Sequence, residues 1–389
     1  MKHKKHTKLK RPNLGEFGRN EWAIIGTVCS DIKTMTFQII KHLQAEYRLA
    51  YVDADHKSAD VEGENGRDEN SAMAHGATLE YTDKITFHRF DEERKLSKFQ
   101  FRQYFNAQDG ILVNGNHFQA KKQIVVIDAR KEKSLQKKLD RLTDVGLFVF
   151  TEGQTEIYPF LKAHLPNWQA IPTVQIDNIE GLSRFIKTDL IENIAPLYGL
   201  VLAGGKSQRM GRDKGLINYH GKPQREYLYD LLSGICEETY LSCRKEQTAE
   251  LKKFDTISDT FDGLGPFGGI LSAFRQNPDA AWLVVACDLP LLDKAAIEEL
   301  VERQNHSKIA TSFYSAETNF PEPLIAIWQP QSYSILLQFL AQGYACPRKV
   351  LINSEIELVH PKRASVLKNV NYPREAEEIM ELLDGKRGD

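Results

Sequence analysis

An apolar run that ends directly in two glycines constrains this chain more than any other feature. Tyr198-Gly-Leu-Val-Leu-Ala203 reads as a buried strand, and Gly204 and Gly205 follow it at once. A second run, Ala281-Trp-Leu-Val-Val-Ala286, is stopped by Cys287-Asp288-Leu289-Pro290. Continuous apolar strands of this kind belong in parallel sheets covered by helices on both faces. Ligands of such sheets bind beyond the carboxyl ends of the strands, where both the glycines and Asp288 must sit. Glycine lets backbone approach a ligand without a Cβ clash, and successive N–H groups there can cradle a phosphate or a base edge. Lys206, Arg209, Arg212 and Lys214 add four cations within nine residues, which suits a polyphosphate. The spacing matches neither a P-loop nor the dinucleotide fingerprint. On composition alone, a plain glycine turn edged by solvated lysines is an equal alternative.

The rest of the second half continues the alternation. Helices are predicted over Gln224–Ser233, Gly268–Phe274 and Lys294–Arg303, with strands over Thr239–Ser242 and Ile309–Phe313. The first half shows the same logic. Trp22–Gly26 and Arg48–Val52 read as strands around a helix over Met35–Tyr47, and Lys84–Phe87, Gly110–Val113, Gln123–Ile127 and Gly146–Phe150 are further strand candidates. Lys57–Ser71 is polar and glycine-bearing and reads as a mobile loop. The expected fold is therefore α/β: two three-layer domains, the second with a mostly parallel, doubly wound sheet. The expected boundaries are a basic tail at 1–19, a first domain at 20–187 and a second at 197–389, with a linker near Lys187–Pro196.

Bulk properties bound the function. At 389 residues two domains are the default, and a net charge of −2 provides no field that recruits nucleic acid or anionic membrane. The lysine-rich start, Met1–Pro12, reads as a solvated tail, since no apolar stretch of signal-peptide length follows. No apolar run is long enough to span a membrane. Five scattered cysteines without a C-x-x-C pair argue against a disulfide framework or a zinc site, and free thiols fit a reducing cytoplasm.

Leu202–Lys214 resembles the signature L-A-G-G-x-S-x-R-M-G-x-D-K of molybdenum cofactor guanylyltransferases, with every defined position filled. Looser versions occur in sugar-phosphate and cytidylyl transferases; Gly204, where cytidylyl relatives carry alanine, favours GTP over CTP. Ile257-Ser-Asp259 with Gly265–Ile270, Ala286–Pro290 and Asn369-Val-Asn-Tyr-Pro373 resemble further family segments in order, with Tyr372 in place of threonine, and Pro321–Ile325 resembles the segment that lines the second substrate's side. The resemblance covers about residues 197–385. It implies a fold of the nucleotide-diphospho-sugar-transferase type and transfer of GMP from GTP to molybdenum-bound molybdopterin, releasing pyrophosphate. It also implies a Mg²⁺ on Asp288, the guanine and ribose held by the backbone of Leu202, Ala203, Gly204 and Gly205, and phosphate paired with Lys214, assisted by Arg209. Ser242, Asp259, Asn369 and Asn371 are the remaining implied contacts, with Arg244 beside Ser242. Each of these side chains has a bland alternative as a loop or solvated residue. Other acceptors, or a non-catalytic cofactor-delivery role, stay open, and other cofactor-biosynthesis proteins and molybdoenzyme apoproteins are the implied partners.

In the first half, Gly26–Thr34 sits where a P-loop would, after a strand and before a helix. Ile32 stands in place of the second glycine, and Gly26 lies one residue too far from Lys33. Tyr51–His56, His75-Gly-Ala77 and Asp109–Gly115 nevertheless resemble the small GTP-binding adaptor of molybdenum cofactor synthesis, with Asn114 replacing an acid. The resemblance implies a degenerate adaptor fused to the transferase, weak or absent NTP hydrolysis, and Lys33 and Thr34 as relic positions; an unrelated α/β domain is the alternative.

Overall fold

The computed structural model describes residues 15–54, 71–205 and 210–385. It divides into two compact units, Met1–Asn193 and Ile194–Asp389.

The first unit runs β1 (Glu21–Ile25), α1 (Cys29–Leu43), β2 (Leu49–Val52), β3 (Leu79–Asp83), β4 (His88–Glu92), α2 (Lys98–Tyr104), β5 (Gly110–Asn114), β6 (Lys122–Ile127), α3 (Glu132–Gln136), β7 (Val145–Phe150), α4 (Pro159–His164), β8 (Thr173–Gln175) and α5 (Ile179–Glu192). Six strands form one parallel sheet in the order β2-β5-β1-β6-β7-β8. Ile32, Met35 and Ile39 of α1 and Leu182, Ile186 and Leu190 of α5 pack on one face with Trp22 and Ile24. Leu135 of α3 and Leu161 of α4 cover the other face. The expected three layers are present.

Several boundaries differ from the sequence reading. α1 starts at Cys29, because Gly26 turns the chain at φ +104° and Ile32 already occupies the core. Gly26 admits no side chain: a Cβ would lie 2.2 Å from Val126 O. Lys84–Phe87 is not a strand but the turn joining β3 to β4, with Ile85 at φ +71° and almost wholly exposed. α5 continues to Glu192, so most of the expected linker is helix, held by Leu190 in the core. Residues 1–14 lie outside the described residues, but those just after them are not tail. Phe17 is buried, and the backbone N–H groups of Glu16, Phe17 and Gly18 donate to the Glu21 carboxylate. Most of the expected mobile loop (55–70) also lies outside the described residues.

The second unit runs β9 (Leu197–Leu202), α6 (Gln224–Ser233), β10 (Glu238–Cys243), β11 (Thr256–Ser258), α7 (Pro266–Gln276), β12 (Ala281–Ala286), α8 (Lys294–Glu302), β13 (Ala310–Ser315), β14 (Phe320–Trp328), α9 (Ser332–Ala341), α10 (Pro347–Ile352), β15 (Glu357–Val359) and α11 (Pro373–Gly385). The sheet order is β11-β10-β9-β12-β14-β13-β15. All pairings are parallel except those of β14 with β12 and β13. The two strongest apolar runs, β9 and β12, are the central neighbours. Leu228 and Leu232 of α6 and Ile297 and Leu300 of α8 pack on one face. Ile270 and Phe274 of α7, Leu336 of α9 and Val350 of α10 pack on the other. Gly269 sets the closeness of α7 to the sheet, since a Cβ there would come within 2.8 Å of Leu202 and Ser242 side-chain atoms. Beyond the glycine loop, Met210, Ile217 and Tyr219 pack against Val370 and the Ala376 and Ile379 faces of α11. No described helix is long and apolar enough to cross a membrane.

Candidate active site

A cavity of about 240 Å³ opens in the second unit at the carboxyl ends of β9, β10 and β12. Leu202, Ala203, Gly204 and Gly205 line it where β9 ends, Ser242 where β10 ends, and Ala286, Cys287 and Asp288 where β12 ends. Asp259 follows β11, and Asp213, Lys214 and Gly215 return from the glycine loop to close the rim.

The charges are arranged in two groups. Asp288 has one carboxylate oxygen, Oδ1, that is buried with no hydrogen-bond partner among the described residues. Its Oδ2 lies 3.6 Å from Lys214 Nζ. Burial raises the Asp288 carboxyl above the usual carboxylate range, and Lys214 opposes that shift. Lys214 Nζ also donates to Asn371 Oδ1 at 2.7 Å, and the Val370 N–H donates to the Asp288 carbonyl at 2.8 Å. The Asn369–Asn371 loop is thus pinned beside Asp288. At the other end of the cavity, Ser242 Oγ donates to Asp259 Oδ1 at 3.0 Å. Burial raises the Asp259 carboxyl, Ser242 opposes this, and Asp262 reinforces it. An unpaired buried carboxylate oxygen is costly unless something absent from the bare chain satisfies it. Mg²⁺ is commonly held by one or two carboxylates plus substrate phosphates and water, so a single buried Asp288 with an open oxygen fits that donor set. Among the described residues no three His, Cys, Asp or Glu converge on a point, so an all-protein cage is not built there. Cys287 is buried and its thiol is pushed far up by desolvation, which makes it a packing group.

Of the residues singled out from sequence, Leu202, Ala203, Gly204, Gly205, Lys214, Ser242, Asp259 and Asp288 share the one cavity, and Asn371 joins through Lys214. Asn369 does not line the cavity and is exposed. Arg209 and Lys206 lie outside the described residues. Arg244 donates from its backbone and Nε to Gln247 Oε1 and shapes the turn after β10. Sequence reasoning missed Asp213, whose Oδ1 accepts the Gly215 N–H at 2.9 Å and sets the turn after Lys214. Leu324 of β14, in the segment expected on the second substrate's side, lines the cavity; what was missed is that Glu322, two residues away on the same strand face, is buried in a pair with Arg348 of α10. Burial raises the Glu322 carboxyl, Arg348 opposes this, and Asp288 adds to it. The buried acid within Pro321-Glu-Pro323 was a legible signal; its partner 26 residues on was not.

In the first unit, Lys33 and Thr34 are exposed on α1, and Lys33 Nζ sits 5.7 Å from the Phe37 ring centre.

A glycine-lined cavity at the strand ends, with a lysine facing a buried carboxylate, defines the second unit as a nucleotidyltransferase domain. Residues 199–357 match the model of the MobA-like NTP transferase domain. The "Molybdenum cofactor biosynthesis bifunctional protein" of Synechocystis is 38% identical over 47% of this chain and 54% of its own length, so the chain spans about half of that relative. The "Probable molybdenum cofactor guanylyltransferase" of Carboxydothermus hydrogenoformans is 30% identical over 48% of this chain and 96% of its own. The chain belongs to the molybdenum cofactor guanylyltransferase family. Among solved structures, "Molybdopterin-guanine dinucleotide biosynthesis protein A" of Archaeoglobus fulgidus has a TM-score of 0.42 at 24% identity, over 48% of this chain and 99% of that one.

Proposed function

We propose that the second unit transfers GMP from GTP to the phosphate of molybdenum-bound molybdopterin, forming the guanine dinucleotide cofactor and pyrophosphate. The observation that carries this is the Lys214–Asp288 pair with its open carboxylate oxygen, set across the cavity from the Ser242–Asp259 pair. The backbone of Leu202, Ala203, Gly204 and Gly205 binds the nucleoside, with Asp259 accepting from it. Lys214, oriented by Asn371, takes a phosphate oxygen. Asp288 holds a Mg²⁺, which when bound supplies positive charge to the phosphate oxygens. The acceptor phosphate is already anionic at neutral pH, so no protein nucleophile is needed; the side chains position the groups and neutralise charge.

The first unit is inferred to be a degenerate adaptor that serves as scaffold or partner module. Ile32 in the core and Lys33 turned out over Phe37 support a loss of phosphate binding there.

The test is pyrophosphate release from the full chain with each nucleoside triphosphate, Mg²⁺, and either molybdopterin or a sugar phosphate. Release with GTP and molybdopterin is expected. Lys214→Gln and Asp288→Asn should each lower kcat by about 10²-fold or more while the far-ultraviolet dichroism stays unchanged. Release with a sugar phosphate but not with molybdopterin would overturn the acceptor assignment, and an active Asp288→Asn would favour a non-catalytic role for that residue.

A further inference from the structure

Polar groups also gather at the carboxyl edge of the first unit's sheet, apart from those that line the cavity of the second unit. β1 lies there between β5 and β6, and the chain leaves them for helices or loops, so the β1 edge is where an open α/β sheet takes its ligands. Cys29, the first residue of the 15-residue α1, is exposed at this edge. Its Sγ lies 3.3 Å from His117 Nε2 and 3.5 Å from Asn116 Nδ2. The thiol therefore meets an imidazole and an amide N–H at once, both supplied by the loop after β5. Asn116 is itself fixed: its Nδ2 donates to Thr27 O at 2.9 Å, and Lys138 Nζ donates to its Oδ1 at 3.3 Å. Desolvation lowers the Lys138 ammonium, with Arg141 and Lys131 adding to this and Cys29 opposing it, so Lys138 stands within electrostatic reach of the sulfur and the other two cations stand near Lys138. Arg141 is anchored to Gly115 O at 3.1 Å. The other cysteines differ: Cys236, Cys243 and Cys287 are buried, and Cys346 is half-buried just ahead of α10.

We propose that Cys29, with His117 as its base, is a site of covalent thiol exchange with anionic low-molecular-weight disulfides. His117 takes the thiol proton, and the sulfur electron pair attacks one sulfur of the disulfide. A Cys29–S–S–R bond forms as the R–S–S–R bond breaks, and the departing thiolate receives the proton from His117. One thiol and one disulfide give one mixed disulfide and one thiol, so no further oxidant is required. The amide of Asn116 steadies the charge on sulfur, and Lys138, with Arg141 and Lys131 behind it, favours the anionic reagent.

The probes are an aromatic disulfide dicarboxylate, neutral hydroxyethyl disulfide and cationic cystamine, each reacted with the full-length reduced protein at neutral pH and mapped by peptide mass spectrometry. Cys29 is expected to react first, about tenfold faster in the folded chain than in urea, and fastest with the dicarboxylate. His117→Gln should remove that acceleration, and Lys138→Gln should narrow the preference for the anionic over the cationic reagent. Exchange at Cys29 no faster folded than in urea, or unchanged by His117→Gln, would overturn the proposal. So would equal rates with the dicarboxylate and cystamine.

Discussion

Asp288 and Asp259 are both buried acids at strand ends, yet their partners make them different tools. Asp288 keeps an open oxygen beside a lysine, whereas Asp259 is tied by Ser242 and lies where the backbone of Gly204 comes close. The carboxyl of Asp259 is raised in the folded chain, chiefly by burial. The folded state therefore holds its proton to higher pH than the unfolded state does. Stability is greatest below the ordinary aspartate value of about 3.9 and falls as pH rises from there through the folded value. Asp259→Asn removes that loss while keeping an acceptor for Ser242. Thermal unfolding without nucleotide should show the variant more stable than the parent at pH 7 and no more stable at pH 3; an equal gain at both would count against a titrating Asp259. The same variant is expected to raise KM for GTP by about tenfold, the scale of one hydrogen bond to a charged group.

At the scale of elements, the site depends on how tightly helices approach the strand ends. α7 carries Gly268 and Gly269 in its first turns, and the second of these faces Leu202 and Ser242, both cavity residues. Gly269→Ala would force a Cβ to within 2.8 Å of both side chains. Overpacking of this kind costs about 1–3 kcal/mol, measurable as a lower urea midpoint at unchanged slope. Because the displaced groups line the cavity, KM for GTP should rise in the same variant. Unaltered stability and KM would show that α7 has room to move. Both glycines are legible in the sequence as a family-like segment, but their reason is a packing distance.

Across the whole chain, two units with separate cores share the α/β plan but differ at the strand ends. In the first, Thr27, Asp31, Asp128 and Arg130 satisfy one another: Thr27 Oγ1 donates to Asp128 at 2.5 Å, and Arg130 donates to both acids. In the second, the corresponding edge leaves an acid oxygen open above a cavity. A single GTP per chain is therefore expected by calorimetry, with a photoactivated GTP analogue labelling peptides from 194–389. A second equivalent bound, or label in 15–193, would show that the first unit kept a nucleotide site.

Local sequence determined the parts whose signals span a few residues. The apolar runs of β9 and β12, the glycines and Lys214 between β9 and α6, and Asp288 after β12 were all readable, because strand burial and backbone clearance act over short distances. The departure of Gly26–Thr34 from the P-loop pattern was readable for the same reason, since one branched residue stands at the position of the second glycine. Tertiary structure alone decided that β14 enters antiparallel between β12 and β13, bringing Leu324 to the cavity and Glu322 to Arg348. It alone set Asn371 on Lys214, 157 residues away, and His117 on Cys29, 88 residues away. Such pairings are settled by which surfaces bury together when the sheet closes, and periodicity along the chain carries no record of that choice.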